Sequence, residues 1–420
     1  MKKTLLLSVV ASTMIMAGGD IAPVEPVVET PVVAEASGWD FSGQAVVYYQ
    51  TRDNAVNDLF DQEASAADAG LQLRAVNKDV FAGIGAGFEV NGLSTLNLEN
   101  SVVSNVPQGV GKPGDIDDMT DGGWISQAYL TYGFGNTSFK LGRQELPKAL
   151  SPFAFSEGWN VFKNTFDAAL VVNTDLPDTT IVYAYVYGGN HNGFGAGNDL
   201  SDFNKFNDHD GIHMLTVQNK SVEGLTLTGS YYYAPNLDQA NGNDAHILWG
   251  DAKYAISDYA VALQGGYIFG DAVDNHETTS FGAKVGGNFG MFDASLAYSY
   301  VGDEDMAATV TNFGGVKTPL YTQMILNQGV IENDSQYIKV AAGAKALGGK
   351  FGVAYGQRLA ADNDILDDHN PYELDVTYKT KVFNDSTTLF AGYVLTDADD
   401  NAVNNGDSQN MIRVWGRYNF

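Results

Sequence analysis

The chain has 420 residues, of which 23 are basic and 51 acidic, for a formal net charge of −28 at pH 7, and it has no cysteine. That acidity excludes a nucleic-acid partner, because phosphate contacts need basic patches. The lack of cysteine excludes disulfides, thiolate metal sites and thiol nucleophiles. Gly 47, Tyr 22 and Phe 22 against Pro 11 suit many strands with aromatic ends, and a mean hydropathy of −0.15 excludes a helical membrane bundle.

Lys2 and Lys3 precede an apolar run from Thr4 to Met16. The run is too short to span a bilayer as a helix but suits a secretory signal. Residues 1–17 read as that signal, with cleavage after Ala17 or as late as Ala22. Its removal takes two lysines and no acid, so 21 basic residues face 51 acidic ones and the charge becomes −30. No cysteine follows to carry a lipid anchor. Residues 18–38 are rich in Pro, Val and Glu without a period and read as an extended periplasmic spacer.

Residues 39–420 repeat one unit of strand, short turn, strand and long polar loop. Eighteen strands are expected, starting near 40, 69, 82, 122, 137, 165, 178, 210, 225, 244, 258, 278, 291, 335, 349, 371, 386 and 408. Alternation is clear in 225–233, where Leu225, Leu227, Gly229, Tyr231 and Tyr233 oppose Thr226, Thr228, Ser230 and Tyr232. It recurs in 372–381, where Tyr372, Leu374, Val376 and Tyr378 oppose Glu373, Asp375, Thr377, Lys379 and Lys381. The segment 137–146 fits poorly, since Phe139 and Leu141 share parity with Arg143 and Glu145. It requires a bulge or an early exit from the sheet.

Tight turns are expected near Asn136, Asp178, Glu223, Ser257, Gly290, Gly348 and Asn384. Between them lie long segments at 53–67, 99–121, 147–164, 190–209, 234–243, 302–334, 360–370 and 396–407. Short turns on one rim and long loops on the other are what a barrel inserted from the periplasm needs, and both ends on the short-turn side require an even strand count. A soluble propeller or sandwich explains the strands but not the asymmetry. The fold class is therefore all-β: a transmembrane antiparallel β-barrel of about 18 strands, multi-pass in a Gram-negative outer membrane.

The last strand carries the clearest pattern. Ile412, Val414, Gly416, Tyr418 and Phe420 share one face, and Met411, Arg413, Trp415, Arg417 and Asn419 the other. An apolar face ending in Tyr418 and Phe420 is expected to pair with the first strand, close the sheet, and serve as the signal read by the barrel-assembly machinery.

The stretch LGRQELPKALSPFAFSEGWNVFKNTFDAALVVNTD, residues 141–175, resembles the region around the third long loop of the major outer-membrane porins of the campylobacter group. The strand pattern, signal and terminal Phe extend the resemblance over essentially the whole chain. It implies an eighteen-stranded porin, commonly a homotrimer in lipid and lipopolysaccharide, with the third loop folded into the lumen. The residues point to the same loop, because Leu150, Phe153, Phe155, Trp159, Val161 and Phe162 would be sticky in external solvent and covered if folded inward. The alternative is a loop packed at a subunit contact.

Motifs for chemistry are scarce. GxSxG, HExxH and Walker A runs are missing, and Gly83, Gly85 and Gly87 lie on a strand with no helix after it, which is no dinucleotide fingerprint. His209 and His213 would stand about 13 Å apart on a strand, beyond the reach of one metal. No enzyme activity and no cofactor is expected. The acidic run Asp115, Asp117, Asp118 and Asp121 is a weak Ca²⁺ candidate that lacks EF-hand spacing.

Charge carries the functional reading. By parity the lumen receives more bases than acids, and the constriction candidates are Arg74, Lys140, Arg143, Arg358, Arg413 and Arg417 against Glu157 and Asp167. A water-filled channel for ions and small hydrophilic solutes follows, with a modest preference for cations set by the acidic loops. The competing reading is a surface-exposed structural or adhesin barrel whose acidic loops do the work.

Overall fold

The computed structural model describes residues 38–110, 121–158, 160–192, 195–238, 241–273, 277–302, 310–326, 335–360, 371–397 and 408–420. The signal, all but Gly38 of the spacer, and Asp115, Asp117 and Asp118 lie outside the described residues. Among those residues, eighteen long strands form the wall. They are β1 (Asp40–Arg52), β2 (Ser65–Phe81), β3 (Ile84–Ser94), β4 (Asp121–Phe134), β5 (Thr137–Gln144) and β6 (Phe166–Asn173). Next come β7 (Thr179–Gly189), β8 (Ile212–Asn219), β9 (Leu225–Asp238), β10 (Asn243–Ile256), β11 (Tyr259–Phe269) and β12 (Thr278–Phe289). The last six are β13 (Phe292–Val301), β14 (Ser335–Ala346), β15 (Gly349–Ala360), β16 (Tyr372–Val382), β17 (Thr387–Asp397) and β18 (Gln409–Asn419).

Every strand pairs antiparallel with its neighbours in sequence, and β18 returns to β1 from Gln44↔Asn419 to Arg52↔Met411. Closure leaves no open edge in the wall, which is what lets a sheet cross hydrocarbon. Strand starts agree with the sequence reading within its resolution, except that β2 begins at Ser65 rather than near 69. The extra residues Ser65, Ala66 and Ala67 are small and buried, and Ala67 N–H donates to the Asn105 carbonyl of the covering loop. Their burial comes from that loop, so no alternation marks them.

The tight turns behave as hairpin chemistry requires. Ala82 and Gly83 take φ of 51° and 81°, and Leu347 and Gly348 take 53° and 74°. Two positive φ values in a two-residue turn match the right-handed twist of the flanking strands. Outward faces carry Leu71, Leu130, Leu215, Leu248, Val340 and Val353, all exposed. An exposed apolar band of this kind around a closed sheet is lipid-facing, and the protein is a multi-pass β-barrel. Among the described residues no helix is long and apolar enough to cross a membrane.

Candidate functional site in the lumen

The inner face of the seam is polar and continuous. Arg417 Nη1 donates to Gln44 Oε1 at 2.7 Å, Gln44 Nε2 to Gln72 Oε1 at 2.6 Å, and Gln72 Nε2 to Glu89 Oε1 at 3.1 Å. Ser126 Oγ and Gln127 Nε2 also donate to Glu89, at 2.7 and 3.0 Å. Both can face inward because β4 is bulged: Gln127 pairs with Glu89 and Ile125 with Val90, leaving Ser126 as the extra residue. One chain of hydrogen bonds thus runs from β18 to β4 across the closure. Arg74 Nη2 reaches the Tyr129 hydroxyl at 3.4 Å, and Lys140 Nζ sits 3.8 Å from the Tyr129 ring centroid.

Other inward bases are held closely. Arg413 is buried and donates from Nε to Gln50 Oε1 at 2.9 Å. Arg358 is also buried, and its backbone N–H donates to the Pro371 carbonyl. Lys350 pairs with Asp293 at 2.6 Å and Lys253 with Asp251 at 3.5 Å.

Two loops fill the space above. Residues 145–165 turn in from β5, where Gly142 has φ +119° and Gln144 Nε2 bonds the carbonyls of Gly142 and Ala168. Leu146, Leu150 and Phe153 are buried in one cluster with Phe166, Val182, Met214, Tyr232 and Trp249 of β6 to β10. Phe153 stands edge-on to Tyr232 and Trp249, with ring centroids 5.7 and 5.1 Å away. At the loop's other end Val161 and Phe162 are buried with Val46, Tyr48, Leu93, Trp124 and Trp415. The loop therefore crosses the lumen from β6–β10 to the seam. Trp159 lies outside the described residues.

A second crossing segment, 310–326, was not anticipated beyond being part of a long external loop. Val310 and Leu320 join the cluster of the first loop, Tyr321 packs with Ala262 and Ala297, Met324 with Tyr337 and Ala354, and Ile325 with Val394 and Met411. The Tyr321 hydroxyl donates to Asp251, and burial together with that carboxylate pushes its pKa up. The signal was available: Leu320, Tyr321, Met324, Ile325 and Leu326 are as apolar a run as the one that marked the first loop.

Three of the constriction candidates do not line the water path: Arg143, Asp167 and Glu157. Arg143 faces Ala128 and Asp167 across the ladders, and Ala128 shares the exposed face of Leu130 and Tyr132. Asp167 lies between inward Phe166 and Ala168 and so points outward. Arg143 and Asp167 are thus on the outer face near the long-loop rim, not in the lumen. They form a bidentate pair at 2.9 and 3.2 Å, and the guanidinium lies 3.2 Å from the Phe203 ring centroid. Pairing makes this outward charge tolerable. Glu157 is inside but 2% exposed, with its carboxylate turned to segment 310–326 instead of the water path. Asp121 is exposed at the start of β4, and among the described residues no three His, Cys, Asp or Glu side chains gather to hold a metal.

The terminal strand lies as its alternation requires. Tyr418 and Phe420 are exposed on the outer face, and Phe420 and Gly43 exchange backbone hydrogen bonds of 2.8 and 3.0 Å. The Phe420 ring covers Gly43 so closely that a Cβ there would stand 2.7 Å from it.

The fold is that of Gram-negative outer-membrane porins. Pseudomonas aeruginosa OccK1 (OpdK) superposes with a TM-score of 0.69 at 15% identity over 91% of this chain and 98% of that one. P. aeruginosa OccK9 (OpdG) gives 0.71 at 13% identity over 91% and 98%, and Acinetobacter baumannii OccAB3 gives 0.69 at 12% over 91% and 99%. No protein-family model matches the chain, and no curated protein matches it in sequence.

Proposed function

We propose that this protein is an outer-membrane porin: a water-filled passive channel for ions and small hydrophilic solutes, with a modest cation preference at low salt. The observation that carries this reading is a closed lipid-facing barrel whose lumen is charged at the wall and narrowed by two inserted loops. Selection is by width and field, without a catalytic step. The barrel sits in lipid and lipopolysaccharide, placed there by the barrel-assembly machinery after removal of residues 1–17, with 18–38 as a periplasmic spacer. A homotrimer follows from the resemblance to campylobacter-group porins. P. aeruginosa OpdK, one of the similar structures, has been solved with vanillate, a small hydrophilic solute.

Cation preference is a contest between basic wall and acidic loops. Arg413 bonded to Gln50, Lys350 to Asp293 and Lys253 to Asp251 have part of their field neutralised or turned into the wall. The mature charge of −30 lies largely in the loops, where acids at a mouth concentrate cations. Exposed charges beyond about 8 Å are screened at physiological salt, so the preference fades as salt rises. Zero-current potentials of the purified protein in planar bilayers under a KCl gradient test this. A cation-selective sign at low salt is expected, an anion-selective sign would overturn the preference, and a folded barrel that does not conduct would favour the surface-barrel reading.

A further inference from the structure

The two inserted loops touch through a carboxylate that the channel reading does not use. Glu157 accepts hydrogen bonds from Asn312 Nδ2 at 2.8 Å, Lys317 N–H at 3.0 Å and Val316 N–H at 3.2 Å. A buried carboxylate is costly unless it is hydrogen-bonded, and here all three donors come from segment 310–326. The geometry leaves no slack: a Cβ on Gly315 would stand 1.9 Å from Glu157 Oε1. Only glycine lets the backbone wrap the carboxylate this closely.

Around this contact the loops are tied by their backbones. Asn312 accepts from Phe155 N–H at 2.8 Å and donates to the Phe155 carbonyl at 2.7 Å, and Phe313 N–H donates to the Phe153 carbonyl at 2.8 Å. At its other end segment 310–326 is held by the wall. Glu373 accepts from Leu326 N–H at 2.7 Å and Asp375 from Ile325 N–H at 3.3 Å, both from β16. Loop 145–165 is packed on the wall at both of its ends, so it is the fixed member of the pair.

We propose that Glu157 is a positioning residue that latches segment 310–326 to loop 145–165, so that the free width of the lumen is set by the latched pair. The proposal rests on the porin reading. With the latch intact, the segment is pinned by carboxylates at both ends and the channel has one width. Without it, the Asn312–Lys317 end keeps the Asn312–Phe155 and Phe313–Phe153 bonds but loosens while Ile325 and Leu326 stay on β16, and the width fluctuates.

The test is single-channel recording of the full chain in planar bilayers, with folding monitored by heat-modifiable mobility. Glu157→Gln places an amide N–H₂ against donors, and Gly315→Ala displaces the carboxylate while keeping its charge. Both are expected to fold and to replace the single wild-type conductance level by several levels with added open-channel noise. Asp175→Asn, in a turn on the opposite rim, is expected to keep the wild-type level. A single wild-type level with wild-type noise in both folded variants would overturn the latch. Failure of both to fold would overturn it too, making the contact a folding element instead of a width-setting one. Silence of the wild-type protein would count against the porin reading itself, which separates the two.

Discussion

From β6 to β10 the inner face of the wall is apolar, with Val172, Val182, Ala184, Met214, Ile247 and Trp249 all buried. From β18 round to β4 the inner face carries Arg417, Gln44, Gln72, Glu89 and Gln127, joined side chain to side chain. The outer faces of the two regions are alike, exposed and apolar to lipid. The difference lies in what covers the inside. Leu146, Leu150 and Phe153 of loop 145–165, with Val310 and Leu320 of segment 310–326, lie on the first region and exclude water, so hydrophobic burial organises it. Where the wall meets the water path, a polar group keeps its hydrogen bonds and a network stiffens the sheet.

The sharpest way to break this contrast is to remove the ring that joins loop to wall. Phe153→Ala empties the space against Tyr232 and Trp249 and is expected to lower barrel stability by about 3–5 kcal/mol, read from urea unfolding in liposomes. Retention of wild-type stability would show that the loop rests on the wall without supporting it.

Closure of the polar half depends on a smaller contact. Deleting Phe420 removes two backbone bonds to Gly43 and the ring over it, which at roughly 1 kcal/mol per bond weakens the seam by about 2 kcal/mol. Less heat-modifiable folded protein in the outer membrane is expected, with unchanged conductance in the barrels that do form. Wild-type amounts of folded protein would remove Phe420 from assembly.

A matched pair of near-isosteric changes sharpens the comparison. Val182→Thr buries a hydroxyl under the loops and is expected to cost about 1–3 kcal/mol. Thr131→Val, on the half-buried inner face of β4, is expected to change stability by no more than about 0.5 kcal/mol. Equal costs in the same unfolding assay would mean that the two halves are equally wet.

The smallest effect lies on the tight-turn rim. Asp175 Oδ2 accepts from Asn173 at 2.6 Å and Oδ1 from Asn136 at 3.0 Å, and these bonds hold its carboxyl below the usual carboxylate range. Because the folded pKa is the lower one, the contribution is present above the unfolded pKa and is lost as pH falls through the folded one. Asp175→Asn should lower stability slightly near pH 7, where that contribution is present, and flatten its slope below about pH 4, where carboxylates titrate. An unchanged acid slope would show the turn bonds to be absent in solution.

The barrel was legible in the residues because its outer solvent is uniform. Lipid demands an apolar side chain at every second position, so Leu225, Leu227 and Tyr231, or Val376 and Tyr378, declare their strands and facing without reference to the rest of the chain. Turn positions such as Leu347–Gly348 are legible for a similarly local reason, the positive φ that a two-residue hairpin demands. The first inserted loop was legible from its own stickiness, and the second carried the same mark in Leu320, Tyr321, Met324 and Ile325.

Tertiary structure decided the inner surface. Parity fixes which face a residue takes only while the ladder is regular. The extra Ser126 in β4 is where that rule stops, whereas Arg143 and Asp167 sit on the regular β4–β5 and β5–β6 ladders and stand on the outside because the inner face beside them, Phe166 and Ala168, is apolar under the inserted loop. Whether an inward residue meets water, as Arg74 does, or is sealed away, as Arg358 and Glu157 are, depends on loops far off in the chain. Strand alternation is a property of neighbours in sequence and so can be read there. The partners of Glu157 lie about 160 residues away, at Asn312 to Lys317, and only the closed barrel brings them to it.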